Sequence, residues 1–306
     1  MKTALIQKIK LNSAFRAIAL LSGMAALAFA AAPHARADDS KVNVLVNFEV
    51  SDKYLTPRGV IAANHGLTYQ QLLLAFVNLY KSNGFISDVT FVPGVWADFT
   101  SHPIPIHANG GKGAADWVET DPIAGLSVKF AKDFKLDVTY TAFDVRVLDI
   151  RTSQNLETKL SFDDSSYLKD FALHPYVSFW QELAGKDTGA SNFGVPSGYY
   201  FDVGIDPGTS IGSWKIEAPL RTLLPSSNFY GTHFASKSTI GLYELGLKAS
   251  TSLGFMPAGY GSWSFHIGVR YMKFVDRNLQ HLSLGGGFGA PVKDTFQSYA
   301  GLSTFF

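Results

Sequence analysis

The chain has 306 residues, is 46% hydrophobic, and contains 24 phenylalanines, 13 tyrosines and 28 glycines but no cysteine. Without cysteine it has neither a disulfide framework nor thiolate chemistry. It has 26 Lys and Arg residues against 25 Asp and Glu, and the first 37 positions hold five of the basic residues and no acidic one. The remainder is therefore mildly acidic, which argues against a nucleic-acid partner because phosphate binding needs a basic face.

The first 37 residues have the pattern of an export signal. A basic start comes first, with Lys2, Lys8, Lys10 and Arg16. Residues 17–32 are almost wholly apolar but too short to cross a bilayer comfortably as a helix. Ala35-Arg36-Ala37 then supplies a small-x-small cleavage pattern. We expect residues 1–37 to be a cleaved signal peptide and residues 38–306 to be the exported domain.

Beyond the signal, apolar and polar residues alternate, as in strands with two chemically different faces. One segment sets Trp263, Phe265, Ile267, Val269 and Tyr271 against Ser262, Ser264, His266, Gly268 and Arg270. No run of about 18 apolar residues follows the signal, so we expect no transmembrane helix there. The alternation predicts twelve strands, near 41–51, 69–80, 85–98, 117–130, 134–144, 154–162, 172–182, 198–205, 214–220, 240–251, 261–273 and 295–306.

The segment at 69–80 has two interpretations. It is apolar on both faces, and Leu72, Phe76 and Leu79 also lie at helical spacing. We favour a strand because Ser82-Asn83-Gly84 then forms a tight hairpin turn to the next strand.

The connections between the predicted strands alternate in length. The longer ones are 52–68, 99–116, 145–153, 183–197, 221–239 and 274–294, and the shorter ones are 82–84, 131–133, 163–171, 206–213 and 252–260. The connections 145–153 and 163–171 are the one pair that does not differ in length. Outer-membrane barrels have this alternation of external loops and periplasmic turns. A sheet in lipid must also close on itself, since every backbone group needs an internal partner. We predict an all-β fold, a closed antiparallel transmembrane β-barrel of about twelve strands in the cell outer membrane with both termini periplasmic.

Three features resemble the TorF-like porin family. Residues 51–59, from Ser51-Asp52-Lys53-Tyr54 to Arg58-Gly59, are similar to its S-x-K-Y-x-x-R-G segment, with one inserted residue. Trp117, Glu119, Asp121 and Gly125 are similar to its W-x-E-x-D-x-x-x-G stretch. The terminal Phe305-Phe306 resembles the signal that the outer-membrane assembly machinery recognises. The resemblance implies an outer-membrane barrel with a pore role, that machinery as a partner, and no catalytic residues.

The alternation places fourteen charged side chains opposite the apolar faces, where they are candidates for lining a pore. The basic ones are Lys129, Lys135, Lys159, Lys215, Lys248 and Arg270. The acidic ones are Glu49, Glu119, Asp121, Asp137, Glu157, Asp202, Glu217 and Glu244. Such side chains either bias which ions pass or pair across strands and plug the lumen. Twelve strands fall between filled eight-stranded barrels and open sixteen-stranded porins, and the mixed signs predict weak selectivity.

The leading hypothesis is therefore a porin-like channel for passive diffusion of small hydrophilic solutes or ions, surrounded by outer-membrane lipids. It involves no covalent chemistry, no cofactor and no metal. A plugged structural or adhesion barrel, whose external loops do the work, is an alternative.

An enzymatic alternative comes from His281-Leu282-Ser283. This spacing would put a base and a nucleophile on one face of a strand, and it is similar to the His-x-Ser element of outer-membrane phospholipases. That family continues with Asn-Gly, whereas Leu284-Gly285-Gly286-Gly287 follows here and favours a loop. A lipid hydrolase is thus the less favoured interpretation.

Two other motifs have simpler explanations. Gly208-Thr209-Ser210-Ile211-Gly212 matches the G-x-S-x-G nucleophile elbow, but it follows Asp206-Pro207 between antiparallel strands, where we expect a turn. His102 and His107 lie in a loop rich in proline and glycine, and closed metal sites need three or four ligands. We expect them to be solvated loop histidines.

Overall fold

The computed structural model describes residues 42–105, 114–147, 152–168, 171–184, 198–227, 229–231, 234, 238–283, 287–288 and 290–306. Residues 1–37, predicted to be the signal peptide, lie outside this part of the chain.

Twelve antiparallel strands of the described residues form a closed barrel. They are β1 (Val42–Ser51), β2 (Thr68–Lys81), β3 (Ile86–Pro105), β4 (Ala114–Phe130), β5 (Phe134–Val145), β6 (Ser153–Phe162), β7 (Tyr176–Ala184), β8 (Tyr199–Ile205 and Gly208–Ile211), β9 (Trp214–Glu217 and Leu220–Pro225), β10 (Leu242–Ser252), β11 (Ser262–Phe274) and β12 (Asp294–Phe305). Each strand pairs with its neighbours in the chain, and β12 pairs with β1 to complete the ring, with Val46 opposite Thr304. The barrel has a terminal end, where β1 begins and β12 finishes, and an opposite loop end.

Strands β8 and β9 each continue through a proline. Their segments are separated only by Asp206-Pro207 and Ala218-Pro219, where proline has no N–H to donate to the ladder. The register is the same on both sides of the second break, since Glu217 pairs with Lys248 and Leu220 with Leu245. The predicted connection at 206–213 and the predicted loop that begins at 221 were therefore wrong. Strand β8 extends from Tyr199 to Ile211, and strand β9 extends from Trp214 to Pro225.

Other boundaries differ more modestly from the sequence prediction. The segment at 69–80 is a strand, as favoured, whereas the strand expected from 172 begins at Tyr176. Strands β3 and β4 extend into the expected loop at 99–116, because their hairpin stays paired beyond a bulge near His102. The described helices are α1 (Ser165–Leu168), α2 (Arg277–His281) and a 3₁₀ turn (Ala258–Tyr260). No helix in the described ranges combines the length and the apolar character needed to span a membrane.

The outer face of the barrel is apolar. It exposes large hydrophobic side chains on most strands, among them Phe48, Phe91, Leu126, Leu160, Phe201, Leu245, Leu247, Ile267 and Leu302. At the terminal end an aromatic row follows the rim, with ring centroids 4.9 to 6.0 Å apart, through Phe85, Phe130, Phe134, Phe162 and Tyr167. An apolar band bordered by aromatic residues is the surface that a barrel presents to lipid and to the membrane interface.

The main hydrophobic core lies inside the barrel at the loop end. Three connections contribute to it, here called loop 1 (52–67), loop 5 (226–241) and loop 6 (275–293). A small second sheet joins loop 1 to loop 6, with short strands Tyr54–Leu55, Ile61–Ala63, Leu282–Ser283 and Gly287–Phe288. One cluster packs Leu55, Val60 and Ile61 of loop 1 against residues of the wall and of the other two loops, including Tyr200, Leu223, Phe229, Leu242 and Leu279. The described parts of these loops therefore fold into the mouth.

Candidate functional site

All fourteen predicted inward charges lie on the inner face of the barrel. Residues that pair across an antiparallel ladder share a face of the sheet, so the register can be followed around the wall. The pairs include Asp137 with Lys159, Glu217 with Lys248, and Asp98 with Glu119. The neighbouring positions on each strand hold the exposed apolar side chains of the outer face.

Arg221 on β9 is the centre of the most extensive charge network. Its Nη1 lies 2.6 Å from Asp202 on β8, and its Nε donates to Glu244 on β10 across 2.7 Å. Glu244 also contacts the Nε of Arg270 on β11 at 3.1 Å. Two acids and two arginines from four consecutive strands thus neutralise one another on the inner wall.

Smaller ion pairs occupy other parts of the inner face. Glu49 on β1 lies 3.2 Å from the ring of His266 on β11, reaching past Gly301 of the intervening β12. A Cβ at Gly301 would lie 2.6 Å from that ring, so only glycine leaves room for this contact. Other close pairs among the described residues of this face are Lys135–Asp137 at 2.9 Å, Lys215–Glu217 at 2.6 Å and Lys248–Glu217 at 4.0 Å. Both charge signs are interspersed along the wall.

Two of the predicted inward residues of β6 are engaged with uncharged partners. Glu157 accepts a hydrogen bond of 2.6 Å from Ser178, and Lys159 lies 3.9 Å above the ring of Tyr176. Lys129 pairs in register with Lys135 near the terminal end, where the two like charges face the lumen together.

Loop 1 crosses the lumen and contacts walls that are far apart around the ring. Tyr54 donates from its hydroxyl to Glu119 on β4 across 2.5 Å, and the Arg58 guanidinium lies 4.2 Å from the ring centre of Phe143 on β5. On the other side, Arg221 of β9 donates to the carbonyl oxygen of Pro57 across 2.9 Å. Loop 1 therefore forms the constriction at the loop end.

The turn of loop 1 depends on Gly59. Its φ of +85° favours glycine, and a Cβ there would lie 2.4 Å from Leu242 of β10. Tyr230 of loop 5 fixes the same turn by donating to the carbonyl oxygen of Arg58 across 2.7 Å. The turn thus fits closely against the wall and the neighbouring loop.

Three buried carboxylates lie beneath loop 1, on Asp98, Glu119 and Asp121. Asp98 is directly across from Glu119, and Asp121 is across from Trp96, whose ring centre lies 5.2 Å from that of Tyr54. Burial, reinforced by the negative charges of these acids, raises the pKa of Tyr54 well above its usual value. Tyr54 is therefore a neutral hydrogen-bond donor to this acidic patch.

The sequence prediction missed several residues of this site. Arg221 was assigned to an external loop. It is an even number of residues from Lys215 and Glu217, so extending β9 through Pro219 would have placed it on the same inner face. Asp98 was placed at the very end of a strand and left out. Tyr54 and Arg58 were noted only within a family-like motif, because no local pattern predicts that a loop folds into a lumen.

The residues of the hydrolase alternative do not form the expected pair on one strand. His281 is the last residue of α2, and its ring stacks on Phe234 with centroids 4.0 Å apart. The backbone of Ser283 pairs with Ile61 of loop 1 in the small sheet of the mouth; its side chain is outside the described part of the structure. Gly208–Ile211 is the end of β8 and Gly212, with φ +61°, is in a turn, so the nucleophile-elbow motif is a hairpin.

One group of possible metal ligands is at the terminal end, where atoms of Asp163, Asp164 and His174 lie within 4.8 Å of one another. Asp164 accepts backbone N–H groups from Leu173 at 3.0 Å and His174 at 2.9 Å. Hydrogen bonding to the Ser165 side chain, together with the Ser165 backbone N–H that donates to Asp163 across 3.0 Å, lowers the pKa of Asp163. The two carboxylates thus stabilise the turn before β7. His107, considered earlier with His102, is outside the described residues.

Taken together, the closed ring, apolar exterior and charged interior define a transmembrane β-barrel with a lumen constricted by loop 1. No protein-family model matches the chain, and no curated protein matches it either. Membership of the TorF-like family stays a prediction.

Several solved structures resemble the chain at low sequence identity. The COG4313 outer membrane channel from Pseudomonas putida F1 is 10% identical with a TM-score of 0.47, over 89% of this chain and 100% of that one. The β domain of the Bordetella autotransporter BrkA is 13% identical with a TM-score of 0.38, over 87% and 99%. The outer membrane protein OpdK from Pseudomonas aeruginosa is 9% identical with a TM-score of 0.34, over 89% and 100%.

Proposed function

We propose that the protein is a porin-like outer-membrane channel through which small hydrophilic solutes and ions diffuse passively. The observation that carries the proposal is the ring of charged side chains on the inner face of a barrel whose outer face is apolar. Charges of both signs inside a protein need water or close partners. The many half-exposed lysines of the inner wall, such as Lys135 and Lys248, therefore favour a hydrated lumen.

In this proposal the chain is exported by a signal peptide at residues 1–37 and inserted by the outer-membrane assembly machinery through β12. Both termini face the periplasm, so that loops 1, 5 and 6 face the exterior. The short turns at the terminal end and the long connections at the loop end support this orientation. The features that resemble the TorF-like family support the same assignment.

Loop 1 would set the size limit of the channel. It crosses the lumen between β4 and β9, and the inner wall beneath it carries both signs of charge. Asp98, Glu119 and Asp121 lie on the same side of loop 1 as Arg58, and Arg221 lies on the other side, so neither sign of charge predominates and weak charge selectivity is expected.

Planar-bilayer recordings test this proposal. We expect purified wild-type protein to give small discrete conductance steps, and a variant with residues 55–62 replaced by a short Gly/Ser linker to give larger ones. Liposome swelling with sugars of graded size should show a higher size limit for the same variant. Folding of both proteins is checked by the heat-dependent shift in gel mobility. A folded loop variant without any conductance would contradict the channel and would favour a structural or adhesion barrel.

A further inference from the structure

Three chain segments meet at a cavity of about 480 Å³ on the loop end. Loop 1, the end of β3 and loop 6 form its walls. Three of the five histidines in the described part of the chain line it, namely His65, His102 and His281. These residues are far apart in the sequence, so the fold itself gathers the imidazole groups.

His65 and His102 are close enough to share an ion. Their ring centroids are 6.0 Å apart, with an angle of 67° between the ring planes. A ligating imidazole nitrogen lies about 2.0 to 2.1 Å from zinc, so two rings on one ion have centroids roughly 5 to 6.5 Å apart. The observed spacing falls within this range.

The backbone holds this pair in place before any ligand arrives. Leu67 donates to the Ser101 hydroxyl and accepts from the Ser101 N–H, both across 2.8 Å. Gly66, with φ +76°, packs so closely that a Cβ there would lie 2.8 Å from the Cβ of His102. His102 itself lies where the register of β3 and β4 shifts, a bulge that redirects side chains.

The side chains that line the cavity determine which class of ligand it can bind. The lining that the structure describes contains no carboxylate, and the chain contains no cysteine, so the imidazole nitrogens are its strongest metal ligands, ahead of the side-chain amides of Asn64 and Gln280. Imidazole suits Zn²⁺, Cu²⁺ and Ni²⁺, whereas Ca²⁺ and Mg²⁺ prefer oxygen ligands. We propose that His65 and His102 bind a transition-metal ion such as Zn²⁺ at the loop end, as a site of two imidazole ligands.

The ion would connect loop 1 to the barrel wall. His65 belongs to loop 1 and His102 to β3, so a shared metal adds a link between the constriction and the strand beside it. The His281 ring, which stacks on Phe234, lines the same cavity from loop 6. This binding site is separate from the charged lumen and does not depend on whether solutes pass through it.

Isothermal titration of Zn²⁺ into the detergent-solubilised barrel tests the site. All proteins carry His174→Ala, which removes the histidine of the turn cluster near Asp163. We expect one site that binds Zn²⁺ and does not bind Mg²⁺, with affinity reduced at least about tenfold by His65→Ala or His102→Ala. Asn64→Ala, which alters the same cavity wall without removing an imidazole, should leave the affinity unchanged.

The heat-dependent gel shift verifies that each variant is folded. Equal Zn²⁺ affinity in folded His65→Ala, His102→Ala and parent proteins would overturn the proposal, as would the absence of Zn²⁺ binding in the parent. Because titration reads binding alone, its outcome is independent of the conductance experiments.

Discussion

Arg221 donates a hydrogen bond to the carbonyl oxygen of Pro57, which bonds a strand of the barrel wall directly to loop 1. The same guanidinium neutralises Asp202 and Glu244 on the two adjacent strands. One side chain thus stabilises the charged wall and holds the constriction in the lumen.

Replacing Arg221 with methionine should destabilise the barrel. The change leaves two largely buried carboxylates without their main cation, a loss on the order of 3 kcal/mol. Urea unfolding in lipid or detergent, followed by tryptophan fluorescence, measures the effect. Lys135→Met is the control, because its pair with Asp137 is much more exposed and contributes little. Equal midpoints for both variants would show that the network around Arg221 is not stabilising.

Removing the hydroxyl groups that hold loop 1 should widen the channel while preserving the barrel. Tyr54→Phe and Tyr230→Phe each remove one hydrogen bond, to Glu119 and to the Arg58 carbonyl, and keep the aromatic ring. We expect the double variant to show a larger or more variable single-channel conductance. Tyr243→Phe, on the exposed outer face, is the matched control. A double variant with wild-type conductance would mean that these bonds do not hold the constriction.

Alkaline pH should loosen loop 1 through Tyr54. Burial and the nearby carboxylates raise the pKa of this phenol, so the stabilisation that it provides is complete below its unfolded value of about 10 and is lost as the pH rises above that value. We expect the wild-type conductance to stay constant up to about pH 10 and to increase only above that value. Tyr54→Phe should lack this component of the increase; an identical pH response in that variant would assign the effect to other groups.

An added charge should impair barrel formation when it is on the outer face of β10 but not when it is on the inner face. Leu247→Lys puts an ammonium group on the apolar outer face, which costs about 2–4 kcal/mol near the bilayer midplane. Ser250→Lys adds the same group to the inner face, where Lys215 and His266 are its register partners. We expect only Leu247→Lys to lower the yield of heat-modifiable barrel in lipid. Similar losses for both variants would contradict the assignment of the faces.

The sequence predicts the barrel well because alternation is a local property. Successive side chains of a strand point to opposite faces of the sheet. The position of Lys159 or Glu217 along its strand therefore decides which face it lies on, independently of contacts made elsewhere in the chain. Strand ends are harder, since Pro207 and Pro219 have the appearance of turn residues until the ladder on both sides is seen.

The position of loop 1 could not be predicted in this way. Its contacts join residues separated by long stretches of chain, such as Tyr54 with Glu119 and Arg58 with Tyr230. They form only when the ring has closed and has brought β4, β9 and loop 5 around the same space. The cavity of His65, His102 and His281 depends on the same closure.

Thiol labelling during single-channel recording tests most directly whether the inner face lines a water-filled path. The chain contains no cysteine, so Ser250→Cys on the inner face and Ala249→Cys on the outer face provide single reactive sites. With a charged, membrane-impermeant methanethiosulfonate reagent, we predict stepwise loss of current for Ser250→Cys and no change for Ala249→Cys or the wild type. Unchanged current in a Ser250→Cys barrel whose labelling is verified by mass spectrometry would contradict the account.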